Sequence, residues 1–216
     1  MSEILRTNFN GDPNLGLYGF ATDKYCLLGL QMGKVGKALG VPMHMCKILN
    51  MDMAGLFVAG NSQGIIISDY VNDYNSMQLK QLFDKILVLN TNYTALGNLI
   101  MMNDHGVIIS PFIKKFRKTI SNFFNLPCEA ATISKQKIVG NLGFATNKGC
   151  LLHPKVKKSE MEIIERVLSV KSDIGTVTFG SSYPGAGLIA NSNGFVVSDR
   201  TSGPELGRIT EALGFI

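Results

Sequence analysis

The sequence predicts an α/β fold in which five copies of one ββαβ unit close into a ring. Three observations carry this prediction. Five glycine-led segments align without a gap, each of the first four is followed by a helix signal and then an apolar strand, and the strand missing from the fifth copy has a candidate at the N-terminal end. A fixed internal period decides architecture before any single motif does, because each copy is one supersecondary unit that needs its neighbours to bury its apolar face.

The segments read GLYGFATDKYCLL (Gly16 to Leu28), GLFVAGNSQGIII (Gly55 to Ile67), GNLIMMNDHGVII (Gly97 to Ile109), GNLGFATNKGCLL (Gly140 to Leu152) and GAGLIANSNGFVV (Gly185 to Val197). Their leading glycines stand 39, 42, 43 and 45 residues apart. Glycine is 23 of 216 residues, so five coincidences in a register already set by other positions are not chance. Where equivalent backbones converge on one axis, a side chain has no room, and the leading glycines are expected to be packing devices.

Each segment centre is a hairpin turn. Asn61-Ser62-Gln63-Gly64, Asn103-Asp104-His105-Gly106 and Asn191-Ser192-Asn193-Gly194 suit a type I turn ending in a left-handed glycine, with the leading Asn bonding the backbone two residues on. In the first copy Tyr25 replaces that glycine, so a distorted turn is expected there.

Helix signals follow. Ser110-Pro111 is an N-cap with Pro in the first turn, ahead of Ile113, Phe116, Ile120, Phe123 and Phe124 at helical spacing. Ser159-Glu160-Met161-Glu162 has the form of a capping box before Ile164, Val167 and Leu168. Thr201 to Glu205 opens a helix with Leu206, Ile209 and Leu213 on one face, and Met77, Leu82, Phe83 and Ile86 mark the helix of the second copy. Lys34 to Gly40 holds at most a short one.

The strands that close the first four copies are expected at Met43 to Leu49, Lys85 to Leu89, Cys128 to Ile133 and Ile174 to Phe179. Glu3 to Phe9 is expected to supply the fifth and so remove two open sheet edges. The chain therefore divides as one domain of repeats near 10–50, 51–90, 91–134, 135–180 and 181–216, with 1–9 closing the ring.

Composition excludes some function classes. The 45% apolar content supports a core, no stretch is long enough to span a bilayer, and the start lacks a leader pattern, so the cytoplasm is expected. Cys26, Cys46, Cys128 and Cys150 lack C-x-x-C spacing and read as reduced core residues, while His44, His105 and His153 form no metal pattern. His44 and Cys46 share a strand face but have no acidic orienter near them in sequence. His153 reads as a cap and His105 as a solvent-facing turn residue. A net charge of +5 suits an RNA-rich partner, with basic runs at Lys114, Lys115, Arg117 and Lys118 and at Lys155, Lys157 and Lys158. No phosphate-binding glycine motif is present.

TALGN (Thr94 to Asn98), NDHGVIISP (Asn103 to Pro111), TNKGCLLHP (Thr146 to Pro154), GTVTFGS (Gly175 to Ser181) and TSGPEL (Thr201 to Leu206) together resemble the archaeal and eukaryotic translation initiation factor 6 family. The resemblance implies the pentein fold, an α-β propeller, with no cofactor and no catalysis. It implies a monomer that binds the large ribosomal subunit near the sarcin–ricin loop and keeps the small subunit away. The end at Ile216, without the tail of eukaryotic members, resembles the archaeal type. The resemblance points to Asn61, Gly64 and Asn98 as ribosome-facing, and the repeat adds Asn103, Asn141 and Asn191. Two rival readings are a guanidino-modifying enzyme of the same fold, whose Cys nucleophile belongs in the last unit where this chain has none, and a general RNA-binding ring.

Overall fold

The computed structural model describes residues 3–216. Its strands form five three-stranded sheets of one pattern, in which the hairpin strands are antiparallel and the outer strand runs parallel to the second. The sheets are Gly19–Ala21 with Cys26–Leu28 and Met43–Met45, Ala59–Asn61 with Gly64–Ser68 and Ile86–Leu89, and Ile100–Met102 with Val107–Ile109 and Cys128–Ala130. Gly143–Ala145 with Cys150–Leu152 and Ser172–Ile174, and Leu188–Ala190 with Gly194–Ser198 and Glu3–Thr7, complete the set.

The middle strand of each sheet is a continuous apolar run, which suits a strand covered on both faces. Ile65, Ile66 and Ile67 are fully buried, each stabilising the fold by roughly 1.5–3 kcal/mol. One face packs under the helix of its own unit and the other against the following unit, the helices being Val35–Leu39, Asp69–Leu82, Arg117–Phe124, Lys158–Leu168 and Gly203–Ala212: Ile65 and Ile67 lie with Val71 and Leu79, and Ile66 with Ile120 and Phe124 of the third unit.

Closure rests on three independent features. Glu3–Thr7 pairs in parallel register with Gly194–Ser198, so the N-terminal strand completes the last sheet; Met1 and Ser2 lie outside the described residues. The core is divided into five clusters, each shared by two adjacent units, including one that joins Ile189 and Val196 of the last to Leu15, Cys26 and Leu28 of the first. The leading glycines form a cycle around the axis: a Cβ on Gly55 would strike the carbonyl oxygen of Gly16, one on Gly97 that of Gly55, one on Gly140 that of Gly97, one on Gly185 that of Gly140, and one on Gly16 that of Gly185.

These glycines are not in strands. Each sits in a short helical turn before its hairpin, at Leu15–Leu17, Ala54–Phe57, Leu96–Leu99, Val139–Leu142 and Pro184–Gly187, so it is helical turns that crowd the axis.

Four further expectations are corrected. Gly64, Gly106 and Gly194 are not left-handed; a Cβ on Gly64 or Gly106, as on the equivalent Gly149, would collide with the carbonyl oxygen of Lys85, Val167 or Ala212, so close approach selects glycine there. The Tyr25 turn is not distorted, because Thr22 N–H reaches Tyr25 O at 2.8 Å as Thr146 N–H reaches Gly149 O at 2.9 Å. The outer strand of the fourth unit is Ser172–Ile174, ending where Ile174 to Phe179 was expected to begin. The helix there is capped by Lys157, not Ser159: Glu160 accepts from Lys157 N–H at 2.9 Å.

In the second unit Val71, Asn75 and Leu79 face inward, whereas Met77 is exposed and Ile86 is in a strand. Ser110 caps Phe112 N–H at 3.1 Å, and Ser202 with Glu205 forms the capping box of the last helix. Cys26, Cys46, Cys128 and Cys150 are free and buried.

Candidate docking face

The first hairpin strands are three residues long in all five units, so about 10 Å of chain separates two ends of the ring. The helical turns with their glycines form one end and the hairpin turns form the other. An axial cavity of about 80 Å³ is lined by the five glycines with Phe20, Met101 and Phe144.

The hairpin-turn end is locked by its own polar groups. In every unit the first turn residue caps its own turn: Asn61 Oδ1 accepts from Gln63 N–H at 2.9 Å, Asn103 Oδ1 from His105 N–H at 3.0 Å and Asn191 Oδ1 from Asn193 N–H at 2.9 Å. Thr22 and Thr146 do the same through Oγ1, at 3.2 and 3.1 Å. The amide nitrogens then cross to the next unit. Asn61 Nδ2 donates to Asn103 O at 3.2 Å, Asn103 Nδ2 to Thr146 O and Leu168 O at 2.9 Å each, and Asn191 Nδ2 to Thr22 O at 3.0 Å and Leu39 O at 2.9 Å.

Threonine cannot make that second reach, and other residues supply it. Tyr25 Oη donates to Asn61 O at 2.9 Å across the first junction, and Lys148 Nζ donates to Ser192 O at 2.7 Å across the fourth. The second turn residues add a further tier: Ser62 Oγ donates to Asp104 Oδ2 and Ser192 Oγ to Asp23 Oδ2, while Asn147 Nδ2 bridges both carboxylates, each at 2.7 Å.

The structure therefore divides the six residues singled out from the sequence. Asn61, Asn103 and Asn191 are 2, 5 and 2% exposed, with their amides spent inside the ring, and Gly64 is buried beside Lys85. Asn98 and Asn141 lie at the opposite end, in the helical turns, and are half-buried. Asn141 Oδ1 has no hydrogen-bond partner among the described residues. Sequence reasoning missed Asp23, Tyr25, Asp104 and Asn147 as locking residues; the recurring second turn position was the signal for Asp23, Asp104 and Asn147, and the loss of the repeat's glycine was the signal for Tyr25.

Thiol chemistry finds little footing. Burial pushes the Cys26 and Cys128 thiols up to about 12 and raises those of Cys46 and Cys150, which disfavours the thiolate a nucleophile needs. His44 packs against Tyr25 and Phe83, with ring centroids 6.0 and 5.6 Å away. His153 Nδ1 accepts from Lys155 N–H at 3.0 Å, capping a turn before the helix, and burial, with Lys155 nearby, lowers its pKa. Among the described residues, no three His, Cys, Asp or Glu side chains are grouped to hold a metal, and no helix is long and apolar enough to cross a membrane.

Five ββαβ units around a pseudo-fivefold axis, locked at one end by their own turns, define a pentein ring. The chain belongs to the eIF-6 family, whose model matches residues 4–212. It is 36% identical over 225 residues to "Translation initiation factor 6" of Pyrococcus abyssi, covering 99% of both chains. It is 34% identical over 228 residues to the protein of that name from Methanocaldococcus jannaschii, covering 100% of both, and 35% identical over 226 to one from Methanococcus maripaludis, covering 99% of both. The likeness is that of an archaeal-type initiation factor of protein biosynthesis.

Proposed function

We propose that the chain binds the large ribosomal subunit through the glycine end of the ring and occupies area that the small subunit needs. The mechanism is steric occlusion by a rigid disc and involves no chemistry. Family membership supports the ribosome as partner, and the large subunit is the partner that the resemblance implies. A standard interface of roughly 800 Å² per partner is well within reach of one end of such a ring.

The single observation behind the choice of end is the fate of the asparagine amides. At the hairpin turns they are consumed by the ring, whereas Asn98 and Asn141 are part-exposed and their side chains form no hydrogen bond among the described residues. We place this activity in the cytoplasm, carried out by the monomer.

The test mixes purified large and small subunits with the protein and resolves them on a sucrose gradient. Co-sedimentation with the large subunit alone, and fewer joined ribosomes, is the expected result. Equal binding to both subunits, or joined ribosomes undiminished at saturating protein, contradicts the proposal.

A further inference from the structure

Charge is unevenly shared around the ring. Residues 111–171 carry twelve Lys and Arg against four Asp and Glu, a net of +8, whereas the remaining residues carry nine against twelve, a net of −3. Over the whole of the third and fourth units, 91–180, the count is twelve against six, a net of +6, and over the other three together nine against ten, a net of −1.

Within that basic half lies the only parallel-stacked aromatic pair among the described residues. Tyr93 and Phe112 stack with centroids 5.3 Å apart and planes 22° apart, and they are 42 and 44% exposed. Lys137 Nζ stands 4.8 Å from the centre of the Phe112 ring. Tyr93 precedes the third glycine turn, Phe112 begins the third helical segment and Lys137 precedes the fourth glycine turn, so three chain segments converge here. Lys114 and Lys115 are exposed on the same segment, Pro111–Phe116, and Lys118 is exposed on the helix Arg117–Phe124 that continues it.

An aromatic pair exposed on a neutral surface would suit a protein partner. Here Lys137 stands over one ring, three exposed lysines follow within six residues of the other, and none of the four forms a salt bridge among the described residues, which favours an anionic partner with flat rings. We propose that this junction of the third and fourth units binds RNA directly, an unpaired base stacking on the Tyr93–Phe112 pair while Lys114, Lys115, Lys118 and Lys137 neutralise the flanking phosphates. Base stacking on aromatic side chains is indifferent to sequence, and lysines held by flexible stems neutralise phosphate as point charges. A fully paired stem hides its bases, so the site selects looped or single-stranded RNA. The inference deepens the ribosome reading by naming RNA as one component of the docked surface, and it rests on that reading only for biological context.

Fluorescence anisotropy with a labelled RNA hairpin carrying an unpaired loop, beside a fully paired duplex of the same length, tests it. The wild-type chain is expected to favour the hairpin, with log affinity falling against log salt at a slope of about 3 for four phosphates on a single strand. Tyr93→Ala with Phe112→Ala should cost the hairpin at least fivefold in affinity, leaving the slope and the melting temperature unchanged. Lys114→Glu, Lys115→Glu and Lys118→Glu together should flatten the slope. Equal affinity of the wild type for hairpin and duplex, or hairpin affinity unmoved by the aromatic substitutions, overturns the proposal. So does an aromatic variant that loses the large subunit but keeps its RNA affinity, since the pair then touches protein. Co-sedimentation is measured in parallel: RNA affinity absent with large-subunit binding intact overturns this inference alone, and the reverse overturns only the ribosome reading.

Discussion

Tyr25 donates its hydroxyl to the backbone carbonyl of Asn61 at 2.9 Å, tying the first unit of the ring to the second. The other units have glycine at this position, pressed in three of them against a neighbouring carbonyl. Two departures from the repeat, Thr22 for Asn and Tyr25 for Gly, thus offset one another: the junction that loses an amide gains a phenol. Tyr25 also fills space against Phe20 and Phe83, with ring centroids 6.1 and 5.0 Å away.

Tyr25→Phe should therefore destabilise the chain by about 1–2 kcal/mol, the cost of an unmatched buried hydrogen bond with packing kept. Tyr25→Ala, which also opens a cavity, should cost about 3–5 kcal/mol. Urea denaturation at constant m-value measures both; equal losses from the two substitutions would show that the hydroxyl is not part of the junction.

Asn103 holds two carbonyls and two turn N–H groups with one amide. Asn103→Asp keeps the acceptors but sets a carboxylate against Thr146 O and Leu168 O, so it should be more harmful than Asn103→Ala despite the closer shape. The expected loss is about 3 kcal/mol or more, read from urea midpoints. A milder effect for Asp than for Ala would mean that the donor side of the latch is dispensable.

Glu160 and Glu205 staple each helix to the preceding loop. Glu160 accepts from Thr132 Oγ1, Ser134 N–H, Lys135 N–H and Lys157 N–H at 2.6 to 3.0 Å, and Glu205 accepts from Thr176 Oγ1, Phe179 N–H, Gly180 N–H and Ser202 at 2.8 to 3.0 Å. Burial alone would raise both pKa values, but these donors outweigh it and hold both carboxylates below the ordinary 4.5. With the folded value depressed, the stabilisation is complete above the ordinary carboxylate range and drains as pH falls through the lowered values. Urea midpoints followed from about pH 6 to pH 3 should fall more steeply for the wild type than for Glu160→Gln with Glu205→Gln. Parallel acid limbs would remove both carboxylates from the account.

Deleting residues 1–10 removes the strand Glu3–Thr7 and exposes the edge of Gly194–Ser198, whose residues Phe195, Val196 and Val197 are fully buried in the intact ring. An open apolar edge invites pairing between chains. The truncated chain should aggregate or lose its cooperative melt, as light scattering and calorimetry would show; a monomer with an unchanged melting temperature would mean that closure contributes nothing.

The architecture was legible in the sequence because the period repeats five times and the caps obey local rules. Ser110 and Ser202 act as N-caps whatever surrounds them. Other features depend on neighbours that no local pattern reveals. A turn glycine looks the same whether it is needed for a left-handed backbone or for the approach of Val167 O, and only the second is true of Gly106. An asparagine in a turn looks the same whether it faces solvent or crosses to the next unit, so the repeat grouped Asn103 with Asn141 although the two lie at opposite ends of the ring. Tyr93, Phe112 and Lys137 belong to three segments and meet only once the chain is folded.

Sedimentation of two charge variants with the large subunit tests the choice of end most directly. One carries Asn98→Glu with Asn141→Ala at the helical turns; the other carries Lys24→Glu, Gln63→Glu and His105→Glu on exposed positions of the hairpin turns. The account predicts that the first loses the large subunit while keeping its melting temperature, and that the second binds as the wild type does. The opposite pattern, with the helical-turn variant bound and the hairpin-turn variant released, would contradict it.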